Sequence, residues 1–290
     1  MLKNDNARHR TRYSRLRAIA EPVMEIAYHG DWPSKVYDFV NRYPKINVVS
    51  QSVRLTDKSF ENYLRAVFVS DLHIGPTTSE HLLIVAFRKI AECKPDILLL
   101  GGDYVFLRAT EKRMQLLGEL IRSVNCTRTY AVIGNHDIWA NEPMIAEALH
   151  NAGATLLVNK QAVIDCNGVK IGLLGLDDPH AGSCSGDVPA DDSADVRVVM
   201  CHSPEGLRYL DKIQFDLFLC GHTHGGQVAS PWGPVIVPHG ELCRRYPSGF
   251  RNHKDALLFV SRGIGTVELP LRFFAPPDFL VLDFCGEKGE

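Results

Sequence analysis

An α/β fold with neighbouring parallel strands is the architecture that this 290-residue chain predicts. Three observations carry that expectation: short apolar runs that stop abruptly at polar or glycine residues, helical periodicity between the runs, and a strand-helix-strand order repeated in succession. Such crossings join parallel neighbours through right-handed connections. Polar groups at the strand ends then gather along one carboxyl edge, where open α/β sheets bind ligands.

Composition narrows the class. With 45% hydrophobic and 23% charged residues the chain is an ordinary globular protein, and its net charge of -2 gives no global sign of a nucleic-acid partner. Eight cysteines lack any C-x-x-C spacing, and Cys201 and Cys220 sit inside apolar runs, where a reduced thiol behaves as a small hydrophobe. That usage favours a reducing cytosol over a disulfide framework. No stretch approaches the roughly 18 to 20 apolar residues of a bilayer span, and Met1 is not followed by a signal-peptide core, so a cytoplasmic location is expected.

Taken in order, the chain starts with Lys3, Arg8, Arg10, Arg12, Arg15 and Arg17 against Asp5, followed by Leu16, Ile19, Val23, Met24 and Ile26. Two readings fit: a basic amphipathic helix on an anionic membrane surface, at the inner face of the membrane, or a solvated arm whose apolar end docks on the domain. Trp32, Val36, Phe39, Val40 and Tyr43 recur at helical spacing, a pattern of core packing, and Pro44 ends that helix. Residues 1–50 are therefore set apart as a basic, helical extension, and 51–290 as the main domain.

Val48–Leu55 and Leu64–Val69 read as strands joined by a polar stretch over Thr56–Asn62. The second delivers Asp71 and His73, a carboxylate and an imidazole two residues apart that face the same way if the backbone stays extended. Helical spacing over His81–Cys93 stops at Pro95, the strand Asp96–Leu100 ends in Gly101-Gly102-Asp103-Tyr104, and a helix over Glu111–Arg122 leads to the strand Thr129–Val132. That strand ends in Gly134-Asn135-His136-Asp137: a neutral oxygen ligand, an imidazole and a second carboxylate after a glycine turn. Asp71, Asp103 and Asn135 would line one edge.

Pro143–Leu149 is expected to be a short helix ended by Gly153, with hairpin-like strands over Leu156–Val158, Ala162–Cys166 and Val169–Leu176. Asp177-Asp178-Pro179-His180 opens a loop rich in Gly, Ser and Asp, read as lying near the substrate without holding metal. Strands over Val196–Met200 and Phe215–Cys220 end in His202 and in Gly221-His222-Thr223-His224-Gly225-Gly226-Gln227. Two histidines one residue apart between glycines form a metal signature, because glycine lets the backbone curl around a cation. Trp232, Pro234, Pro238 and His239 belong to a proline-broken segment. Strands over Leu257–Val260 and Phe279–Phe284 complete the set. Between them lie Ser261-Arg262-Gly263 and the Phe273-Phe274 pair, the latter either a buried closure or an exposed apolar lip.

Asp71-x-His73, Gly102-Asp103, Gly134-Asn135-His136-Asp137, His202 and Gly221-His222-x-His224, in this order over about Ala66 to Phe284, resemble the motifs of the calcineurin-like metallophosphoesterases. The longer runs Gly102-Asp103-Tyr104-Val105, Gly221 to Gln227 and Ser261-Arg262-Gly263 resemble a bacterial branch that includes cell-envelope phosphodiesterases and UDP-2,3-diacylglucosamine pyrophosphatases. The resemblance implies a two-sheet β-sandwich of mixed strands flanked by helices, with a dinuclear metal site at the sheet edge. By position, Asp71, His73 and His224 would hold one metal, Asn135, His202 and His222 the other, and Asp103 would bridge them. His136 would be the catalytic histidine and Asp137 the residue that orients it.

Mixed oxygen and imidazole ligands suit Mn, Fe, Zn or Co, with manganese in view, better than an all-oxygen magnesium cage. Paired cations can clamp attacking and leaving oxygens and ionise a bound water near neutrality, so the expected chemistry is attack by metal-bound hydroxide on a phosphodiester or pyrophosphate. The substrate would be a phosphorylated small molecule or a lipid-linked nucleotide such as UDP-2,3-diacylglucosamine, with Arg244, Arg245, Arg262 or Arg272 as candidates to meet its phosphates. The alternatives are a phosphomonoesterase, a cyclic nucleotide phosphodiesterase, or a non-catalytic scaffold of the same fold.

Overall fold

The computed structural model describes residues 15–40, 44–55, 64–166, 168–188, 193–234, 237 and 240–286. The basic residues before Arg15, the Thr56–Asn62 connection, Tyr43, Pro238 and His239 lie outside them. The elements run α1 (Arg15–Ala27), α2 (Trp32–Val40), β1 (Asn47–Leu55), β2 (Leu64–Val69), α3 (Glu80–Glu92), β3 (Ile97–Leu100), α4 (Glu111–Ser123), β4 (Thr129–Ala131), α5 (Asn135–Asn151) and β5 (Ala154–Leu156). They continue through β6 (Lys160–Cys166), β7 (Val169–Gly175), β8 (Val196–Met200), β9 (Leu217–Cys220), β10 (Ala229–Ser230), β11 (Gly233–Pro234), α6 (Glu241–Arg245), β12 (Gly249–His253), β13 (Ala256–Val260) and β14 (Asp278–Gly286).

Two mixed six-stranded sheets form, ordered β1-β14-β2-β3-β4-β5 and β12-β13-β9-β8-β7-β6. Strand periodicity sorts their side chains into layers. Leu64, Ala66 and Phe68 of β2 face the second sheet and join Leu173, Val198, Leu217 and Phe259, whereas Val67 and Val69 face the helices. Phe68 and Phe259 meet edge to face across the layers at 6.5 Å. The other face of β9 sends Phe218 and Cys220 into a third cluster. Helices α3 and α4 cover the first sheet; each starts on a capping hydroxyl, Ser79 accepting from Leu82 N and Thr110 from Arg113 N.

Strands β2, β3, β4 and β5 are mutually parallel, as are β7, β8, β9 and β13. Both sheets therefore turn their carboxyl ends to a common edge, the expected two-layer α/β arrangement.

Several local expectations change. The hairpin is β6 with β7 alone; β5 begins at Ala154 and pairs parallel with β4, because a strand emerging from a helix that covers a sheet re-enters that sheet. The Pro143–Leu149 helix is the second part of α5, whose first turn starts at Asn135 and breaks at Asn141, with φ 174° and ψ 83°. Asp137 makes that early start, its carboxylate accepting from Gly134 N as in a capping box. Strand β12 was not anticipated, since Arg251-Asn252-His253 is polar throughout and belongs to a sheet edge. Trp32, Val36 and Phe39, expected in the core, are 51%, 51% and 79% exposed, and Ile19, Val23 and Ile26 of α1 also face solvent. Among the described residues of α2, Tyr37 alone packs against the first core cluster, and polar links supply the rest: Glu25 to Arg108, Tyr28 Oη to Glu268 O at 2.6 Å, and Ser34 N to Pro76 O at 3.0 Å.

Candidate metal centre

Each expected ligand leaves a strand end through a bend that holds it inward. Asp71 N donates to Gly102 O at 2.9 Å and His73 N to Asp103 O at 3.0 Å, so the loops after β2 and β3 are laced together. Asp71, His73, Asp103, His222 and His224 all carry positive φ, between 44° and 71°. Left-handed backbone on bulky residues costs about 1 to 3 kcal/mol each and collects at functional sites. Two glycines make room for the acids: a Cβ on Gly134 would collide with the Asp103 carboxylate, and one on Gly221 with that of Asp71.

The side chains converge as two joined groups. Asp71 Oδ1 lies 3.8 Å from His73 Nε2 and 3.5 Å from His224 Nε2, and the two imidazole nitrogens are 3.0 Å apart. Asp103 Oδ2 lies 3.0 Å from His202 Nε2, which is 3.2 Å from His222 Nδ1. Asp103 Oδ2 also reaches within 3.6 Å of His73 Nε2, so this carboxylate faces both groups. Asn135, at the start of α5, is buried with its Oδ1 lacking a hydrogen-bond partner among the described residues. His202 Nδ1 lies 2.9 Å from Gly101 O; donation there leaves Nε2 with its lone pair toward the carboxylates, as in metal-ligating histidines.

Electrostatics favour a cation. Asp71, Asp103, Asp137 and Asp178 are all buried at this edge. Burial works against ionising Asp103, yet His202 and His136 hold its pKa well below the carboxylate range. Burial likewise opposes Asp71, and His224 and His73 lower it. The same acids outweigh burial at His202 and raise its pKa well above that of a free imidazole, so without a cation a proton on Nε2 faces Asp103 in the place a metal ion would take. Burial also depresses His224 to about 3, a neutral ring suited to donating a lone pair. Acids, neutral imidazole and an unsatisfied amide oxygen converging in a buried space are the donors a divalent transition-metal ion takes.

His136 stands beside this cluster, its ring centroid 4.9 Å from His73, with Phe106 at 5.6 Å and Trp139 at 5.3 Å as walls. The Asp137 carboxylate is engaged by backbone: Asp103 N and Tyr104 N at 2.7 Å each and Gly134 N at 3.0 Å. It thus clamps the Asp103 loop to the Asn135 turn. On the far side, His180 stacks on His222 with centroids 4.4 Å apart, and Asp178 Oδ1 accepts from His180 N and Ala181 N. That contact puts the loop after β7 beside the cluster, while Asp177 caps the amides of Asp178 and Ser183.

The candidate arginines divide. The Arg272 guanidinium donates to Arg262 O, Gly265 O and Ala275 O and lies 3.2 Å from His224 Nδ1, so it braces the wall behind that ring. Arg262 pairs with buried Asp278 at 2.9 Å, whereas Arg244 and Arg245 are exposed. Phe273 and Phe274 form the exposed lip, 55% and 57% accessible. Phe106 and Trp139 gave no sequence signal as walls of this site, because each reaches it from a loop or helix whose path depends on the packed sheets; Arg272 was named as a phosphate contact, and its role as a brace came only from the fold.

A family model for calcineurin-like phosphoesterases matches residues 64–226. Among curated proteins, phosphodiesterase YaeI of Escherichia coli is 32% identical, over 76% of this chain and 81% of its own length. The uncharacterized metallophosphoesterase YkuE of Bacillus subtilis is 29% identical over 75% and 77%. The UDP-2,3-diacylglucosamine pyrophosphatase LpxG of Chlamydia muridarum is 24% identical over 76% and 83%. With the buried Asp and His cluster at the edge of its two sheets, this chain belongs to the calcineurin-like phosphoesterase family of metal-dependent phosphoester hydrolases.

Proposed function

We propose that the protein hydrolyses a phosphodiester or pyrophosphate with two divalent cations, drawn from Mn, Fe, Zn or Co. Asp71, His73 and His224 would hold one, Asn135, His202 and His222 the other, with Asp103 shared. The observation that carries the reading is that Asp103 Oδ2 lies within 3.6 Å of imidazole nitrogens from both groups. Bound there, the ions would supply Lewis acidity and acidify water at neutral pH.

The chain's own residues do the rest. His136 lies beside the cluster at a helix start, where its ring can donate a proton to the leaving oxygen or a hydrogen bond to the phosphoryl group. Asp137 acts at one remove: by fixing the amides of Asp103, Tyr104 and Gly134 it sets the distance between two ligand loops, and we assign it that role in place of direct orientation of the His136 ring. Phe106 and Trp139 exclude water from one side of the imidazole.

For the substrate we favour a lipid-linked nucleotide of the UDP-2,3-diacylglucosamine type. Leu269, Leu271, Phe273 and Phe274 expose apolar surface on the loop that carries Arg272, which itself touches His224, so acyl chains would have a surface near the reacting phosphate. The outward apolar residues of α1, following the basic residues at the start of the sequence, support peripheral contact with the inner face of a membrane from a cytoplasmic location. We keep the division between a basic helical extension and the catalytic domain, with the boundary moved from 50 to the start of β1 at Asn47, which pairs with β14.

Metal-loaded protein is expected to hydrolyse aryl phosphodiesters or nucleotide-linked pyrophosphates, while H136A binds the same metal and loses about a hundredfold or more in rate. Absence of hydrolysis across aryl monoesters, diesters and nucleotide pyrophosphates would leave the scaffold alternative standing.

A further inference from the structure

A second group of ligating side chains lies beside the dinuclear cluster and shares only His222 with it; its other members have no part in the proposed reaction. His180 comes from the loop after β7, Ser203 from the turn after β8, and Cys243 from α6; Cys243 and Ser203 are fully buried, and His180 is half-buried. His180 Nε2 is 2.8 Å from Ser203 Oγ, which is 3.4 Å from Cys243 Sγ. The rings of His180 and His222 stack with centroids 4.4 Å apart and planes inclined by 20°. One ligand atom from each of His180, His222 and Cys243 lies within 4.8 Å of the others, and among the described residues no other such group contains a thiol.

We infer that His180, His222 and Cys243 form a separate site for a thiophilic divalent cation of the zinc or cadmium kind, and that filling it inhibits the enzyme by drawing on His222. Tetrahedral zinc with nitrogen at about 2.0 Å and sulfur at about 2.3 Å brings its donor atoms to roughly 3.5 Å of one another. The three donors lie within 4.8 Å of one another, so the side chains must contract around the cation, and Ser203 already links His180 to Cys243. Binding forms one sulfur–metal bond and releases the thiol proton to water, with no change of oxidation state. Soft sulfur with two imidazoles selects zinc or cadmium over magnesium, calcium or manganese.

The inhibition rests on the proposed use of His222 at the dinuclear centre, whereas binding at the new site does not and is measured separately. Cadmium is titrated into manganese-loaded protein while ultraviolet thiolate-to-cadmium charge-transfer absorption is followed. The wild type should develop that absorption with the first added equivalent, C243A and C243S should not, and H180A should bind cadmium about tenfold or more weakly. With manganese present, C243A and C243S should keep wild-type hydrolysis of an aryl phosphodiester and lose sensitivity to excess zinc. Absorption that persists in both cysteine variants, if their melting curves match the wild type, overturns the site. Absorption lost while zinc inhibition persists overturns the inhibitory role. If no variant hydrolyses anything but the absorption behaves as stated, the proposed reaction fails and the cation site stands.

Discussion

Replacing Asp137 by alanine tests whether this carboxylate works by holding two loops together. Its oxygens accept from Asp103 N, Tyr104 N and Gly134 N at 2.7, 2.7 and 3.0 Å, and the side chain is fully buried. D137A leaves those three donors without their acceptor. At about 1 to 3 kcal/mol for each stranded donor the gross cost is roughly 3 to 9 kcal/mol. Removing the carboxylate also relieves its burial and its repulsion with Asp103, both of which push its pKa up to about 8. The net loss should therefore fall in the lower half of that range, about 4 kcal/mol, a large share of the roughly 5 to 15 kcal/mol that stabilises a folded domain. D137N keeps one acceptor oxygen but turns an amide donor toward the remaining N–H, so about half the loss is expected. Urea unfolding of the metal-free proteins gives the stability change, and calorimetric titration with manganese gives the metal affinity. D137A should weaken both, because the Asp103 loop loses its anchor, whereas H136A should leave metal affinity unchanged. A D137A protein within about 1 kcal/mol of the wild type that binds manganese equally refutes the clamp.

Three further outcomes follow from particular contacts. Removing bound metal with a chelator should lower the melting temperature, since buried Asp71 and Asp103 lose their counter-charge, and adding manganese or zinc back should restore it; indifference to chelation contradicts the cation reading. Burial, with Glu25 adding to it, raises the Glu21 pKa from 4.5 to about 7, so the folded form holds this proton more tightly than the unfolded one. The stability it contributes is present below about 4.5 and is lost as pH rises through about 7. Protection of the α1 amides, taken relative to their intrinsic exchange rate at each pH, should accordingly fall between pH 5 and pH 8, and E21Q should remove that pH step. Finally, F273A/F274A should raise KM for an acylated substrate while sparing a short aryl phosphodiester; equal effects on both would detach the lip from substrate binding.

Much of the site was legible in the residues themselves. Apolar runs ending in Asp71, Asp103, Asn135, His202 and His222 marked strand ends, because strand length and polar interruption are local properties. The turn glycines were legible too, but that Gly134 packs against the Asp103 carboxylate and Gly221 against that of Asp71 came only from the fold. The sequence left the Phe273-Phe274 pair open between closure and lip, and read Trp32, Val36 and Phe39 as core. Spacing gives the face of a helix but not whether another element covers it.

Only the tertiary structure decided that β14, from the far end of the chain, enters the first sheet between β1 and β2. The same holds for β5, which pairs with β4 instead of the following hairpin, and for Asp137, which serves the Asp103 loop thirty-four residues away. Cys243 and His180 likewise come within reach of each other only because a short helix packs on the turn that follows β8. Local propensity and spacing determine which groups a strand end offers. Which groups come within a few ångströms of one another depends on sheet order and layer packing, set by contacts between residues distant along the chain.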